Sequence, residues 1–245
     1  MVGGEWQDGS HPIRTAREDP LNAISNARAE LVALCERGLE WYPGVPRQLT
    51  DATGARPAAV LVLFGVLDSV PARDGGAVAR DLDVLLLRRA ATLGSHAGQI
   101  AFPGGRLEAS DDGPIAGAIR EAREETGVDP DGIEPLGTLP TMSVPVSNHL
   151  VTPVPAWWTR PSEVAAVDHD ESVDVFRVPV AELLEPANRA NTEHTIDSRT
   201  FRSPAFTVGG RIVWGFTALV LSRMFDELGW AEPWNHDRIV EPDDL

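Results

Sequence analysis

The sequence predicts an α/β domain with a mixed sheet. A continuous apolar, valine-rich run at 58–67 (AAVLVLFGVL) has the length and composition of a buried strand. Residues 113–126 carry apolar side chains at helical spacing, with Pro114 near the start and Gly127 just past the end. Strand-like and helix-like segments follow one another irregularly, which argues against a regular doubly wound sheet.

Residues 1–19 are polar and glycine-containing and read as a loose arm. From 20 to 38, Leu21, Ile24, Ala27, Leu31, Leu34 and Cys35 keep a helical spacing that Gly38 and Pro43 end. Trp41 and Tyr42 read as packing residues, and 44–57 as a linker. After the first strand, 68–81 is turn-forming and 83–88 (DVLLLR) is a second strand. Pro103-Gly104-Gly105 reads as a turn, because two glycines permit positive φ and close backbone approach. Asp111 and Asp112 suit the N-cap of the following helix.

Residues 136–139 are expected to form a strand. So are 150–158, at an edge or a bend because of Pro153 and Pro155. Residues 173–178 alternate before Pro179, and 180–184 suit a short helix. Gly209-Gly210 centres a hairpin at 206–214. A last helix at 215–228 turns Leu219, Val220, Met224 and Phe225 inward, with Trp214 and Gly215 packing it on the sheet. The tail from 229 is ordered by packing of Trp230 or Trp234. The chain thus divides into an arm and helix (1–55), a main domain (56–228) and a tail (229–245).

The net charge is −16, and all 21 strongly basic residues are arginine. Such a surface repels nucleic acid, and no basic stripe appears. An anionic ligand therefore requires locally gathered arginines. The single cysteine, Cys35, cannot form an internal disulfide, which suits a reducing cytoplasm. It lies in an apolar helical stretch and reads as core. No apolar run reaches membrane-spanning length, and no basic-then-apolar leader follows Met1. The chain lacks the lysine of a phosphate-binding P-loop, a G-x-G-x-x-G after a strand and a G-x-S-x-G elbow. One cysteine with scattered histidines disfavours zinc.

The chemistry concentrates at 102–128, FPGGRLEASDDGPIAGAIREAREETGV. On the helix, Ile115, Ala118, Ile119 and Ala122 share one face, and Glu121, Glu124 and Glu125 occupy a neighbouring arc. Three carboxylates on one turn repel each other unless a hard cation takes their oxygens. Arg120, four residues before Glu124, can hold that carboxylate. EAREE taken alone is equally a solvated acidic face; the glycines on either side favour a site.

This stretch resembles the Nudix box, G-x5-E-x7-R-E-U-x-E-E-x-G-U with U apolar. Gly105, Arg120, Glu121, Ala122, Glu124, Glu125, Gly127 and Val128 match. The first acidic position departs: Asp111 lies six residues after Gly105, with eight residues rather than seven before Arg120. A box one residue longer is similar to the coenzyme A pyrophosphatase branch. So is the preceding stretch, where Leu85, Leu86, Arg89, Ala90, Gly98 and residues 102–105 match L-L-T-x-R-[SA]-x3-R-x3-G-x3-F-P-G-G. Leu87 and Gly94 stand where the pattern has threonine and a second arginine.

The resemblance covers roughly 56–228 and implies a Nudix-type α/β/α sandwich with a mixed β-sheet, preceded by an N-terminal helical arm. It implies a Mg²⁺- or Mn²⁺-dependent pyrophosphohydrolase acting on a small nucleotide substrate. Metal would be held by Glu121, Glu124, Glu125 and the Gly104 carbonyl. Glu124, Glu125 or Glu171, from an acidic loop, would take a proton, with Arg120 orienting the cluster. Arg88, Arg89, Arg106 and Gly105 would contact phosphate. The branch points to coenzyme A or acyl-coenzyme A, with ADP-ribose or a dinucleotide as alternative. A Nudix domain that senses a nucleotide without hydrolysing it is the rival of another class. His96 and Gln99 are further candidates to line the site. The sequence leaves a homodimer open.

Overall fold

The computed structural model describes residues 20–41, 54–67, 80–90, 98–144, 147–167, 172–196 and 199–242. The elements, in chain order, are helix α1 (Pro20–Arg37), strands β1 (Arg56–Val66), β2 (Leu82–Arg89), β3 (Ile100–Ala101) and β4 (Gly104–Arg106), and helix α2 (Gly113–Thr126). Strands β5 (Ile133–Pro135), β6 (Met142–Val144), β7 (His149–Trp158) and β8 (Ser172–Pro179) follow, then helix α3 (Val180–Leu184). Strands β9 (Arg189–Ile196), β10 (Arg199–Val208) and β11 (Arg211–Val213) and helix α4 (Gly215–Glu227) complete the order.

β1 is the axis of the main sheet. It pairs in parallel with β7 over residues 56–64 on one edge. On the other edge it is shared: residues 58–60 pair antiparallel with β4, and residues 64–66 with β2. Alternation then splits its apolar side chains between two layers. Ala59, Leu61 and Leu63 face Ala118 and Ala122 of α2, while Val62 and Phe64 face α1, α3 and α4. The result is the expected α/β/α sandwich. A second sheet, β11–β10–β9, lies beside α4.

Several expectations are corrected. Gly104-Gly105 is not a turn but part of β4, drawn straight by its ladder with β1. The strand expected at 136–139 lies at 133–135 instead; Leu136 N and Leu139 N still donate to Pro155 O and Pro153 O. β7 is interior rather than an edge, because β5 and β6 flank it beyond β1. Its prolines are tolerated for a local reason. In a strand, a residue's N and C=O point to the same side, so Pro153 and Pro155 turn their missing N–H groups toward the gap between β5 and β6. Asp112 sits at the N-cap of α2 without a side-chain cap bond, and Asp111 is engaged elsewhere. The linker expected at 44–57 ends earlier, since β1 begins at Arg56.

Other readings hold. Gly127 ends α2 in the left-handed region at φ 69°, its N–H donating to Arg123 O. Gly209 and Gly210, both at positive φ, close the β10–β11 hairpin. Trp41 is buried and donates to Pro140 O at 2.7 Å; Tyr42 lies outside the described residues. Trp230 orders the tail: it packs at 1% exposure near Phe64 and Phe225, and its indole N–H donates to Glu30 Oε2 at 2.7 Å. Trp214 packs less tightly than expected. It is half-buried at the N-cap of α4, its ring stacked on His194.

Candidate active site

The site is the seam between β4 and α2. Gly104 is pressed so closely on β1 that a Cβ there would strike Ala59 O and Val60. Its N–H does not serve the ladder, where the neighbouring Pro103 O accepts from Leu61 N; instead it donates to Glu125 Oε2 at 2.8 Å. At Gly105 a Cβ would overlap the Glu121 carboxyl group. Two successive residues without side chains thus let two helix carboxylates lie directly on a strand backbone. Glu125 is only 4% exposed, and Glu121 is half-buried.

Arg120 organises the arc. Its Nη1 lies 3.0 Å from Glu121 Oε1 and 3.0 Å from Glu124 Oε2. Its Nη2 donates to Arg106 O at 3.0 Å. Asp111 takes the opposite side of the guanidinium with both oxygens and is itself nearly buried, at 5% side-chain exposure. Arg120 holds the Asp111 carboxyl below the usual aspartate range, and in turn Asp111, followed by Glu121, pushes the guanidinium pKa up. The extra loop residue therefore does not disable the box. Asp111 anchors the arginine that spaces the glutamates, a role its sequence position did not reveal.

The candidate residues separate into groups. Glu121 and Glu125 lie on the glycine strand. Glu124 is 58% exposed and turned toward Arg120 and solvent. Arg88 and Arg106 are exposed and Arg89 half-buried. Among the described residues none of these three guanidinium groups has an ion-pair partner, although the chain is strongly acidic. Alternation places Arg89 on the α2 face of the sheet with Leu85, and Arg88 on the opposite face with Leu86. Arg89 Nε and the Oγ of Ser172, its partner on β8, are both buried without a hydrogen bond. The ladder shifts register there, between Arg88 and Arg89, and such bulges re-aim side chains.

Glu171, His96, His169, Asp170 and Gly94 lie outside the described residues. Both flanks of the 168–171 segment are tied to the site: Val167 N donates to Glu125 O, and Ser172 pairs with Arg89. Leu87 is fully buried.

The donor set suits a hard divalent cation, offering carboxylate oxygens and a backbone carbonyl. No three acidic, histidine or cysteine side chains among the described residues converge into a ready cage.

A NUDIX domain model matches residues 70–198, which includes the whole of this seam. The chain belongs to the Nudix family. It is a Nudix hydrolase, similar to proteins named NudL, described as uncharacterized Nudix hydrolases. The NudL of Cronobacter sakazakii is 35% identical over 150 residues, 60% of this chain and 75% of that protein. The NudL of Citrobacter koseri gives the same figures. Among solved structures, a MutT/nudix family protein from Enterococcus faecalis superposes with a TM-score of 0.44 at 16% identity, covering 88% of this chain and 76% of its own. RenU, a Nudix hydrolase from M. smegmatis, gives 0.39 at 23% identity, over 51% of this chain and 71% of its own. Nudix hydrolases act on small nucleotide-type substrates and generally use divalent metals such as Mg²⁺ or Mn²⁺. No described helix is long and apolar enough to cross a membrane.

Proposed function

We propose that this Nudix hydrolase splits the diphosphate of coenzyme A or an acyl derivative, giving adenosine 3′,5′-bisphosphate and a 4′-phosphopantetheine. The observation that carries the hydrolytic reading is the nesting of Glu121 and Glu125 on the Gly104-Gly105 backbone. The coenzyme A reading is supported by the match of residues 85–105 to that branch.

Glu121, Glu125 and the Gly104 carbonyl would hold Mg²⁺ or Mn²⁺, with Glu124 joining by rotation away from Arg120. When bound, the ion supplies charge neutralisation of phosphate and acidification of water. Arg120 fixes the spacing of Glu121 and Glu124. Glu125, Glu124 or Glu171 accepts the proton of the attacking water, which adds in line to one phosphorus as the bridging oxygen departs. Arg89 on the α2 face, and Arg106 and Arg88 on the other, are the residues proposed for bidentate phosphate contacts. Gly105 leaves space for the Glu121 carboxylate to lie against the strand.

Leu87 is fully buried where the branch pattern has threonine, and Gly94 stands where it has its second arginine, a phosphate or coenzyme contact in the pattern. This keeps ADP-ribose or a dinucleotide as a second reading. The test is a hydrolysis panel with Mg²⁺ or Mn²⁺ containing coenzyme A, acetyl-coenzyme A, ADP-ribose and NADH, with Glu125→Gln as control. Adenosine 3′,5′-bisphosphate released by the wild type and absent with the variant is the expected outcome. AMP from ADP-ribose or NADH alone would retain the hydrolase and discard coenzyme A.

A further inference from the structure

We propose that Trp214, stacked on His194, is the shelf on which the purine base of the substrate lies. This rests on the diphosphate reading above. The two rings are 5.9 Å apart between centroids and inclined by 26°. Both are half-buried, so aromatic surface remains open to a ligand. The His194 ring is held by a 3.0 Å hydrogen bond between Nε2 and Thr192 Oγ1. Phe201, 51% exposed, is the cross-strand partner of His194 and extends the same face of the β9–β10 pair.

Position favours this use. Trp214 caps α4, and three residues later Thr217 Oγ1 donates to Ile100 O at 3.0 Å. β11, which leads into Trp214, also contacts β3. Ile100 precedes Gly104 by four residues, so the chain between them spans at most about 14 Å. The shelf therefore stands beside the strand that leads into the glycine seam, within the reach of a nucleoside extended from its diphosphate.

Charge favours it too. Glu193, the acidic neighbour of His194, alternates to the opposite face of β9, where Arg202 Nε holds it at 2.9 Å. Along β9 and β10, the face that carries His194 and Phe201 places no acidic residue among those described, in a chain of net charge −16. Aromatic faces bind nucleobases by stacking, a neutral interaction that tolerates such a setting.

Calorimetric titration of the full chain with ADP and with inorganic pyrophosphate, both in Mg²⁺, separates base from phosphate binding. The wild type should bind ADP more tightly than pyrophosphate. Trp214→Ala should weaken ADP about tenfold and leave pyrophosphate within about twofold, as expected for the loss of one stacking partner. His194→Ala should show the same pattern more weakly, and Trp214→Phe should restore most of the ADP affinity. Melting curves of each variant establish that it is folded. Parallel losses of ADP and pyrophosphate in a folded variant, or no loss of ADP, overturn the shelf. A wild type that binds pyrophosphate as tightly as ADP also overturns it while preserving the diphosphate reading. A wild type that binds neither removes both.

Discussion

Asp111 grips Arg120 through two parallel bonds, Nε to Oδ1 at 2.9 Å and Nη2 to Oδ2 at 3.0 Å. The pair links the loop after β4 to the middle of α2, so the spacing of Glu121 and Glu124 depends on a residue nine positions before Arg120. Asp111→Ala should leave the fold intact and lower turnover at least tenfold, mainly by loosening metal binding. Titrating activity against Mn²⁺ checks this: saturation should require more metal in the variant.

The same pair has a pH signature. The Asp111 carboxyl is held below its usual range in the folded protein, so its contribution to stability is full above the ordinary aspartate value. It is lost as pH falls below about 4, where the unfolded chain takes up the proton first. Melting temperatures from pH 7 to pH 3 should therefore fall less steeply in Asp111→Asn than in the wild type. Equal slopes would show that Asp111 carries none of the acid sensitivity.

Gly105→Ala tests the contact between strand and carboxylate. The added methyl overlaps the Glu121 carboxyl group, so Glu121 must swing away or α2 must shift. Activity should drop by a hundredfold or more, while circular dichroism stays near that of the wild type. Glu125→Gln should cut turnover by a similar or larger factor, since it also removes charge at a nearly buried position.

Away from the site, Asp83 is fully buried on β2 and lies 2.6 Å from Arg177 Nη2, whose guanidinium also stands over the Trp158 ring. Removing one partner of a buried pair leaves an uncompensated charge, at a cost of roughly 3–5 kcal/mol. Asp83→Ala should lower stability by that order in urea denaturation. Gly65 allows the arrangement, because a Cβ there would come 2.9 Å from Asp83 Oδ1.

Cys35 provides a chemical check on the docking of α1. Burial, and secondarily Glu36, pushes its thiol up to about 11. At pH 8 a disulfide reagent should modify it about a hundredfold more slowly than free cysteine, with normal reactivity returning in denaturant.

Much of this was legible in the residues, for identifiable reasons. α2 could be bounded to the residue because proline and glycine punctuate it and its apolar stripe is strict. The β10–β11 hairpin announced itself through Gly209-Gly210. The glycines of β4 read as a turn because glycine pairs signal turns locally, whereas here their function is close approach to Val60 and Glu121, a tertiary demand. β7 was read as an edge because nothing in its own sequence shows that its neighbouring strand is interrupted opposite Pro153 and Pro155. β9 escaped notice because Arg189, Asn191 and Thr192 are polar, although the fold buries them. Asp111 looked like a cap; only the path of the loop shows that it faces Arg120 instead.

The bond from Trp230 to Glu30 spans 200 residues. During synthesis, α1 emerges early, yet the indole that closes over it leaves the ribosome only after the whole main sheet has been made. Until then the apolar stripe of Ala27, Leu31 and Leu34 stays without its full cover, and the long loop closed by that contact places it among the slowest steps of assembly. The protein is therefore most exposed to aggregation and proteolysis just before the segment that carries Trp230 is made, and co-translational chaperones have the most to protect at that point.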